Sequence, residues 1–261
     1  MSSYDFILDN MRYSFSSVTN FEGCKQNFYL TYIESEERRQ NCWGQFGSYC
    51  HLILEKYFSG ELEHSELKDF YISKYTENVY LPFPRFIKNA AENYYNNGLN
   101  FFENFTFDKT LWEILLIEAD IKTEHNGIKL TVKPDLVLRE KSTGKNILID
   151  FKTANGYKAN GKLDSTKMLN YLRQFYLYCY FVWQTQGIAI DEIHVWFIVN
   201  GKTHIEIFDP VKAQEAVEWF LGVIEEINQE EEFVGNTSNG NKFYCENLCS
   251  FGDGTCKYFS G

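Results

Sequence analysis

The chain has 261 residues, 44% of them hydrophobic with 23 Phe and 18 Tyr, and a formal net charge of −11. That length fits one domain with elaborations and leaves ample apolar mass for a core, while no run approaches the roughly 18 apolar residues of a membrane span. The acidity argues against tight, sequence-independent grip on duplex nucleic acid, because such grip scales with the number of phosphates neutralised.

The N-terminus, Met1-Ser2-Ser3-Tyr4-Asp5, lacks the basic opening of a secretory signal. A cytoplasmic chain is expected, in which the seven cysteines are thiols or metal ligands rather than disulfides. Apolar residues then recur at helical spacing through the first hundred residues. Helices are predicted over 17–33, carrying Val18, Phe21, Phe28 and Leu30, and over 43–58, ending at Ser59-Gly60. Two more are predicted around 64–80 and 84–104, separated by Pro82-Phe83-Pro84.

The period changes to two after residue 110. Strands are predicted over 111–121 and 128–138 around His125-Asn126-Gly127, where Asn-Gly is a strong hairpin signal. Lys141-Ser142-Thr143-Gly144 turns into a third strand over 146–152. A polar loop (154–164) leads to a long helix over 165–186, then strands over 192–199 and 203–208 joined at Asn200-Gly201, and a helix over 210–229. From Gly235 the tail is rich in Gly, Asn and Ser, then in cysteine. The expected organisation is a single domain, 1–261, with a helical lobe (1–105), a mixed α/β core (106–232) and a Cys-rich tail (233–261).

Charge is unevenly spread. Residues 214–232 hold seven Glu and no Lys or Arg, which suits the solvated face of a helix. Residues 139–167 hold seven bases against three acids, either an ordinary lysine-rich loop or a stretch that contacts phosphates.

Asp150-Phe151-Lys152 closes the apolar run Asn146-Ile147-Leu148-Ile149. On an extended chain Asp150 and Lys152 share a face and Phe151 points the other way. A carboxylate and an ammonium at the end of a buried strand are costly to desolvate unless something uses them. Asp135, after Pro134, adds a second carboxylate, and the set is the minimum equipment of a magnesium-dependent phosphodiester hydrolase. A chain with 36 acidic residues yields Asp-x-Lys by chance, so the surroundings decide.

His51 lies one turn after Gly47 on the second predicted helix; a lone helical His is usually packed or on the surface, but a neutral imidazole is a competent ligand beside carboxylates. Gln174 and Tyr178 are four apart on one face of a helix that is mainly core. Beside an active site they would hydrogen-bond a phosphate or a base. Cys245, Cys249 and Cys256 fall in a tail with too little apolar content to order itself, so clustered thiolates suggest a metal staple, with Cys24 the natural fourth ligand. A 1+3 split fits an iron–sulphur cluster at least as well as structural zinc. Cys42, Cys50 and Cys179 sit in aromatic helical contexts and read as small buried hydrophobes.

Together these residues resemble the PD-(D/E)xK nuclease superfamily, specifically its RecB-type branch with an iron–sulphur cluster, which includes the nuclease lobes of recombination helicase–nucleases and the standalone nucleases of CRISPR adaptation. In order along the chain, the matches are Cys24, then Gly47 and His51, Asp135, the strand Asp150-x-Lys152-Thr153, Gln174 with Tyr178, and the triplet Cys245, Cys249 and Cys256. Lys133 stands where the family often has Gly, and Lys25 where Pro is common. No Walker A motif occurs in these residues, so an attached helicase engine is not expected.

The resemblance implies a restriction-endonuclease-like core: a mixed central sheet flanked by helices, with an N-terminal helical lobe and a tail closing an iron–sulphur site. It implies that His51, Asp135, Asp150 and the carbonyl of Phe151 hold Mg²⁺ or Mn²⁺, and that Asp135, Asp150 and Lys152 are catalytic. Cys24, Cys245, Cys249 and Cys256 would hold a [4Fe–4S] cluster, with structural zinc as the alternative. The substrate expected is DNA, as single-stranded ends degraded exonucleolytically, guided by Gln174 and Tyr178 and gripped by Lys158, Lys162 and Arg173 of the basic stretch. A protein partner in recombination, replication or CRISPR adaptation would fit the same branch. The competing reading is a nuclease-like module that grips DNA ends or a partner without cutting.

Overall fold

The computed structural model describes residues 4–236 and 241–259. They form two compact units that interleave along the sequence, one drawing on described residues 4–41, 122–132, 215–236 and 241–259 and the other on 42–121 and 133–214.

The second unit is built on a five-stranded mixed sheet in the order β1-β4-β5-β6-β7. Its strands are β1 (Trp112–Ile117), β4 (Leu136–Glu140), β5 (Asn146–Lys152), β6 (Glu192–Phe197) and β7 (Lys202–Ile207). Only the β5–β6 pair is parallel; the other pairs are antiparallel. A parallel pair needs a long crossover, and α7 (Ser165–Gln186) supplies it. This helix starts where the Asp164 carboxylate accepts the Lys167 N–H and stops at Gly187, whose φ of 68° is a conformation that favours glycine.

Helices α4 (Cys42–Ser59), α5 (Leu67–Asn78) and α6 (Ala90–Asn104) pack on the face of the sheet that presents Leu136, Leu138, Ile147, Ile149 and Phe151. Strand alternation gives this face every second residue of β4 and β5 and turns Asp150 and Lys152 to the other, toward α7. The mixed α/β fold with helices flanking a mixed sheet is therefore the one the sequence implied.

The first unit contains α1 (Asp5–Asn10), α2 (Phe15–Gly23), α3 (Lys25–Phe28), most of α8 (Pro210–Gln229) and α9 (Lys242–Asn247). It also holds a hairpin of β2 (Ile121–His125) and β3 (Ile128–Val132). Asn126 and Gly127, with φ of 51° and 80°, make the tight turn that Asn-Gly predicted. Phe21, Phe28 and Phe233 form an aromatic cluster at this unit's centre. Glu215, Glu218, Glu225 and Glu226 of α8 are exposed, as a solvated face requires. No helix among the described residues is long and apolar enough to cross a membrane.

Four predicted elements are interrupted. The helix expected over 17–33 breaks at Cys24, which is extended (φ −163°, ψ 107°), and continues as α3 and a π-helical turn over Tyr29–Ile33. The helix expected from 84 begins at Ala90, because residues 84–89 form successive turns closed by Ile87 N–H to Pro84 and Ala90 N–H to Ile87. The strand expected over 111–121 ends at Ile117, since Glu118 takes a φ of 44° and redirects the chain. The strand expected over 128–138 divides around Lys133-Pro134-Asp135, where proline supplies no N–H for a ladder. Two of these breaks create the site.

Candidate active site

Strand register gathers the acids. Ile117 pairs with Leu136, and Leu136 pairs with Ile149. Extending both ladders by one residue sets Glu118 opposite Asp135 and Asp135 opposite Asp150. Residues directly opposite on antiparallel strands share a face, so three carboxylates lie in a row across β1, β4 and β5. The Glu118 N–H donates to the Asp135 carbonyl at 2.8 Å and continues the ladder beyond the end of β1.

His51 reaches this row from α4. Its Nε2 lies 2.9 Å from the Phe151 carbonyl oxygen, which can only accept, so Nε2 carries a proton. Nδ1 then faces Glu118 Oε1 at 3.5 Å and Asp135 Oδ2 at 3.6 Å. A neutral ring would aim a lone pair at two carboxylates, an arrangement relieved only by a second proton or by a cation between them. Gly47, one turn earlier, lets α4 approach the end of β5: a Cβ there would stand 3.2 Å from Thr153 Oγ1.

Asp150 is 2% exposed and Asp135 9%. Burial and the neighbouring Asp150 push the Asp135 carboxyl up to about 7, against the pull of His51 and Lys152. Burial likewise raises Asp150 against the pull of Lys152. Lys152 is opposed by its own burial, but Asp150 and Asp135 outweigh it and hold the ammonium above its usual value. Burial also works on His51, downward, and is overcome by Glu118, Asp135 and Asp150. Glu118 is held below the carboxylate range despite partial burial, by His51 and by Lys133, whose Nζ lies 2.7 Å from Oε2.

Lys152 Nζ stands 2.6 Å from Asp150 Oδ2, so this buried carboxylate is paired with a buried ammonium. Lys152 donates to Gln174 Oε1 at 3.2 Å, and Gln174 Nε2 donates to the Tyr178 hydroxyl at 2.8 Å. The rings of Tyr171 and Phe175 close over the ammonium at 5.1 and 5.0 Å. Three ligand atoms from His51, Glu118 and Asp135 lie within 4.8 Å of one another. With the buried Asp150 carboxylate and the Phe151 carbonyl beside them, this set of oxygens plus one imidazole fits a hard divalent cation.

The structure thus assembles His51, Asp135, Asp150, the Phe151 carbonyl, Lys152, Gln174 and Tyr178. Lys158 and Lys162 are exposed in the loop that follows Lys152, joined by a backbone hydrogen bond of 2.8 Å, and Arg173 is half-buried on α7, one residue before Gln174. Glu118 is the residue that the sequence reading missed. Its signal was an acid closing the apolar run Ile114-Leu115-Leu116-Ile117, just as Asp150 closes Ile147-Leu148-Ile149.

A second constellation lies in the other unit. Cys24, Cys245, Cys249 and Cys256 line one cavity with Asn27, Leu30, Tyr244 and Phe251. The extended backbone at Cys24 that breaks the first helix sets this thiol apart from the helical series. Burial and the other three sulphurs raise Cys249 to about 11, and burial, Cys24 and Cys256 raise Cys245. Yet N–H donors point at the sulphurs: Asn236 N–H to Cys24 at 3.4 Å, the Asn27 amide to Cys249 at 3.4 Å and Phe251 N–H to Cys249 at 3.5 Å. Donors aimed at sulphur suit thiolates, and mutually repelling thiolates suit a shared cationic centre, so the donor set fits a metal group. Cys42, Cys50 and Cys179 are buried apart from it.

A sequence model of the PD-(D/E)XK nuclease superfamily matches residues 12–257. A crystal structure from Eubacterium rectale, of a protein described as a candidate exonuclease, aligns over 91% of this chain and 88% of its own at 16% identity, with a TM-score of 0.47. No curated protein matches the sequence.

Proposed function

Because the chain belongs to the PD-(D/E)XK nuclease superfamily, we propose that it is a divalent-metal-dependent deoxyribonuclease of the RecB-type branch, acting exonucleolytically on single-stranded ends. The observation that carries this reading is the carboxylate row Glu118, Asp135 and Asp150 with His51 on one side and Lys152 on the other.

His51, Glu118, Asp135 and Asp150, with the Phe151 carbonyl, would hold one or two Mg²⁺ or Mn²⁺ ions. When bound, the cation polarises the scissile phosphate and acidifies the attacking water. Lys152 places a fixed positive charge beside the reacting phosphate, where it stabilises the negative charge that develops in the transition state. Gln174 holds Lys152 in place, Tyr178 holds Gln174, and the Tyr171 and Phe175 rings shield the ammonium from water. Lys158, Lys162 and Arg173 supply the local grip on the strand that the chain's overall acidity does not.

Cys24, Cys245, Cys249 and Cys256 hold a [4Fe–4S] cluster that ties an early segment of the chain to its tail and does no redox chemistry on the substrate. Zinc in the same place would serve the same staple. The whole chain, 1–261, acts as one nuclease domain.

End-labelled linear single strands, circular single strands and duplex, each incubated with Mg²⁺, Mn²⁺ or chelator, test this reading. Linear single strands should shorten progressively, circles should resist, and chelator should stop both. Equal cutting of circles and linear strands would make the enzyme an endonuclease. Binding without cutting under any metal would favour the non-cleaving module.

A further inference from the structure

Between α5 and α6, in the same unit as the carboxylate row, residues 80–89 read Tyr-Leu-Pro-Phe-Pro-Arg-Phe-Ile-Lys-Asn. We propose that this loop is a second nucleic-acid contact, a stacking and phosphate-binding platform for single-stranded DNA that adjoins the metal site along α4. The proposal rests on the nuclease reading for the identity of its ligand.

The loop is built, not loose. Gln45 of α4 is 3% exposed, and its Oε1 accepts both the Tyr80 N–H at 3.1 Å and the Leu81 N–H at 2.9 Å. Phe83 packs against Trp43 and Tyr94, with ring centroids 5.9 and 5.2 Å apart. The turn closed by Ile87 N–H to the Pro84 carbonyl makes Arg85 and Phe86 its two central residues, and a second turn ends at Asn89 with a φ of 56°.

What this frame holds outward is unusual for an acidic chain. Phe86 is 69% exposed and Tyr80 67%. Lys56, Lys68 and Lys74 of the same unit each pair with a glutamate. Arg85 and Lys88, in contrast, have no carboxylate within ion-pair distance among the described residues. Aromatic faces interleaved with free cations match what unstacked bases and their phosphates require, and a duplex, whose bases are already stacked, cannot use the rings. Gln45 and His51 are six residues apart on α4, about 9 Å along its axis, so one helix carries both the loop's anchor and a residue of the metal site.

The test is fluorescence anisotropy of a labelled thymidine 20-mer, single-stranded or paired with its complement, in chelator so that nothing is cut. The double variant Tyr80→Ala/Phe86→Ala should bind the single strand about tenfold or more weakly, as expected for two lost stacking contacts. Its duplex affinity and melting temperature should stay unchanged. Phe86→Trp should bind as well as wild type and Phe86→Leu should not, because leucine keeps apolar volume but has no π face. Arg85→Ala/Lys88→Ala should flatten the salt dependence of single-strand binding by a log–log slope of about 1.4. Single-strand binding by the aromatic double variant equal to wild type would overturn the proposal, as would an equal loss on duplex. Metal-dependent cleavage by the wild-type protein, measured alongside, tells these failures apart from a failure of the nuclease reading.

Discussion

The carboxylate row and the cysteine cavity pose the same electrostatic problem and answer it differently. Each crowds groups that repel one another when ionised, and burial pushes up the pKa of Asp135 and Asp150 in one and of Cys245 and Cys249 in the other. The carboxylate site answers with charges of its own: Lys152 beside Asp150, Lys133 beside Glu118, and His51 between Glu118 and Asp135. Among the described residues, the cysteine cavity offers its sulphurs N–H dipoles. A site with built-in cations can keep its fold without a metal; a cavity with dipoles alone depends on one. The first is arranged for turnover, the second for permanence.

Breaking the first site should cost activity and not the fold. Asp150→Ala removes the carboxylate paired with Lys152. Its kcat should fall at least about a thousandfold, with a much smaller change in melting temperature, because Asp135 still offsets the Lys152 charge. Single-turnover cleavage and thermal denaturation on the same sample measure both.

Breaking the second should do the reverse. Cys24→Ser should release the metal as completely as Cys249→Ser does, although the two residues lie at opposite ends of the chain. Metal-binding energy of this kind is folding energy, so the melting temperature should fall by roughly 10 °C or more. Iron, sulphide and zinc analysis reads the occupant, and about four iron per chain is the expected count for a Cys₄ cubane. Full metal retention in Cys24→Ser would remove this residue from the ligand set.

A smaller effect sharpens the role of Glu118. Glu118→Gln keeps the shape but not the charge, and should weaken Mn²⁺ binding about tenfold by calorimetry, in the range seen when groups around a metal are altered. Unchanged affinity would leave Glu118 as the partner of Lys133 alone.

A further effect is in pH. Asp135 is raised from 3.8 to about 7 in the folded chain. A carboxyl raised on folding stabilises most below its unfolded value and loses that contribution as pH climbs through the folded one. Chelator-treated protein should therefore melt progressively lower between about pH 4 and pH 7 through this group, and Mg²⁺ should restore more at pH 8 than at pH 5.5. Asp135→Asn should flatten the slope. An identical slope in that variant would place the titration elsewhere.

The contrast also explains what could be read from the sequence. β5 and α7 match their predicted bounds because an apolar run, a helix start at Asp164 and a helix stop at Gly187 are local signals. The Asp150, Lys152, Gln174 and Tyr178 chain was legible for the same reason: spacings of two and four are fixed by strand and helix geometry. Glu118 was not, because its membership depends on register across β1 and β4 and on a positive φ that no neighbouring glycine announces. The grouping of Cys24 with the tail cysteines was legible, but its helix break was not, since the residues around it carry unbroken helical spacing. The loop over 80–89 was read only as a separator, because the bond from Gln45 that orders it spans thirty-five residues.

The most direct measurement concerns Lys152. Lys152→Met removes the cation beside Asp150 while leaving every proposed metal ligand in place. Mn²⁺ titrated into this variant should bind at least as tightly as to wild type, because a like charge has gone. Cleavage of an end-labelled single strand should nevertheless be lost by orders of magnitude. Tight Mn²⁺ binding without cleavage is the result that a metal-dependent nuclease centred on this lysine predicts. Cleavage at the wild-type rate would contradict it.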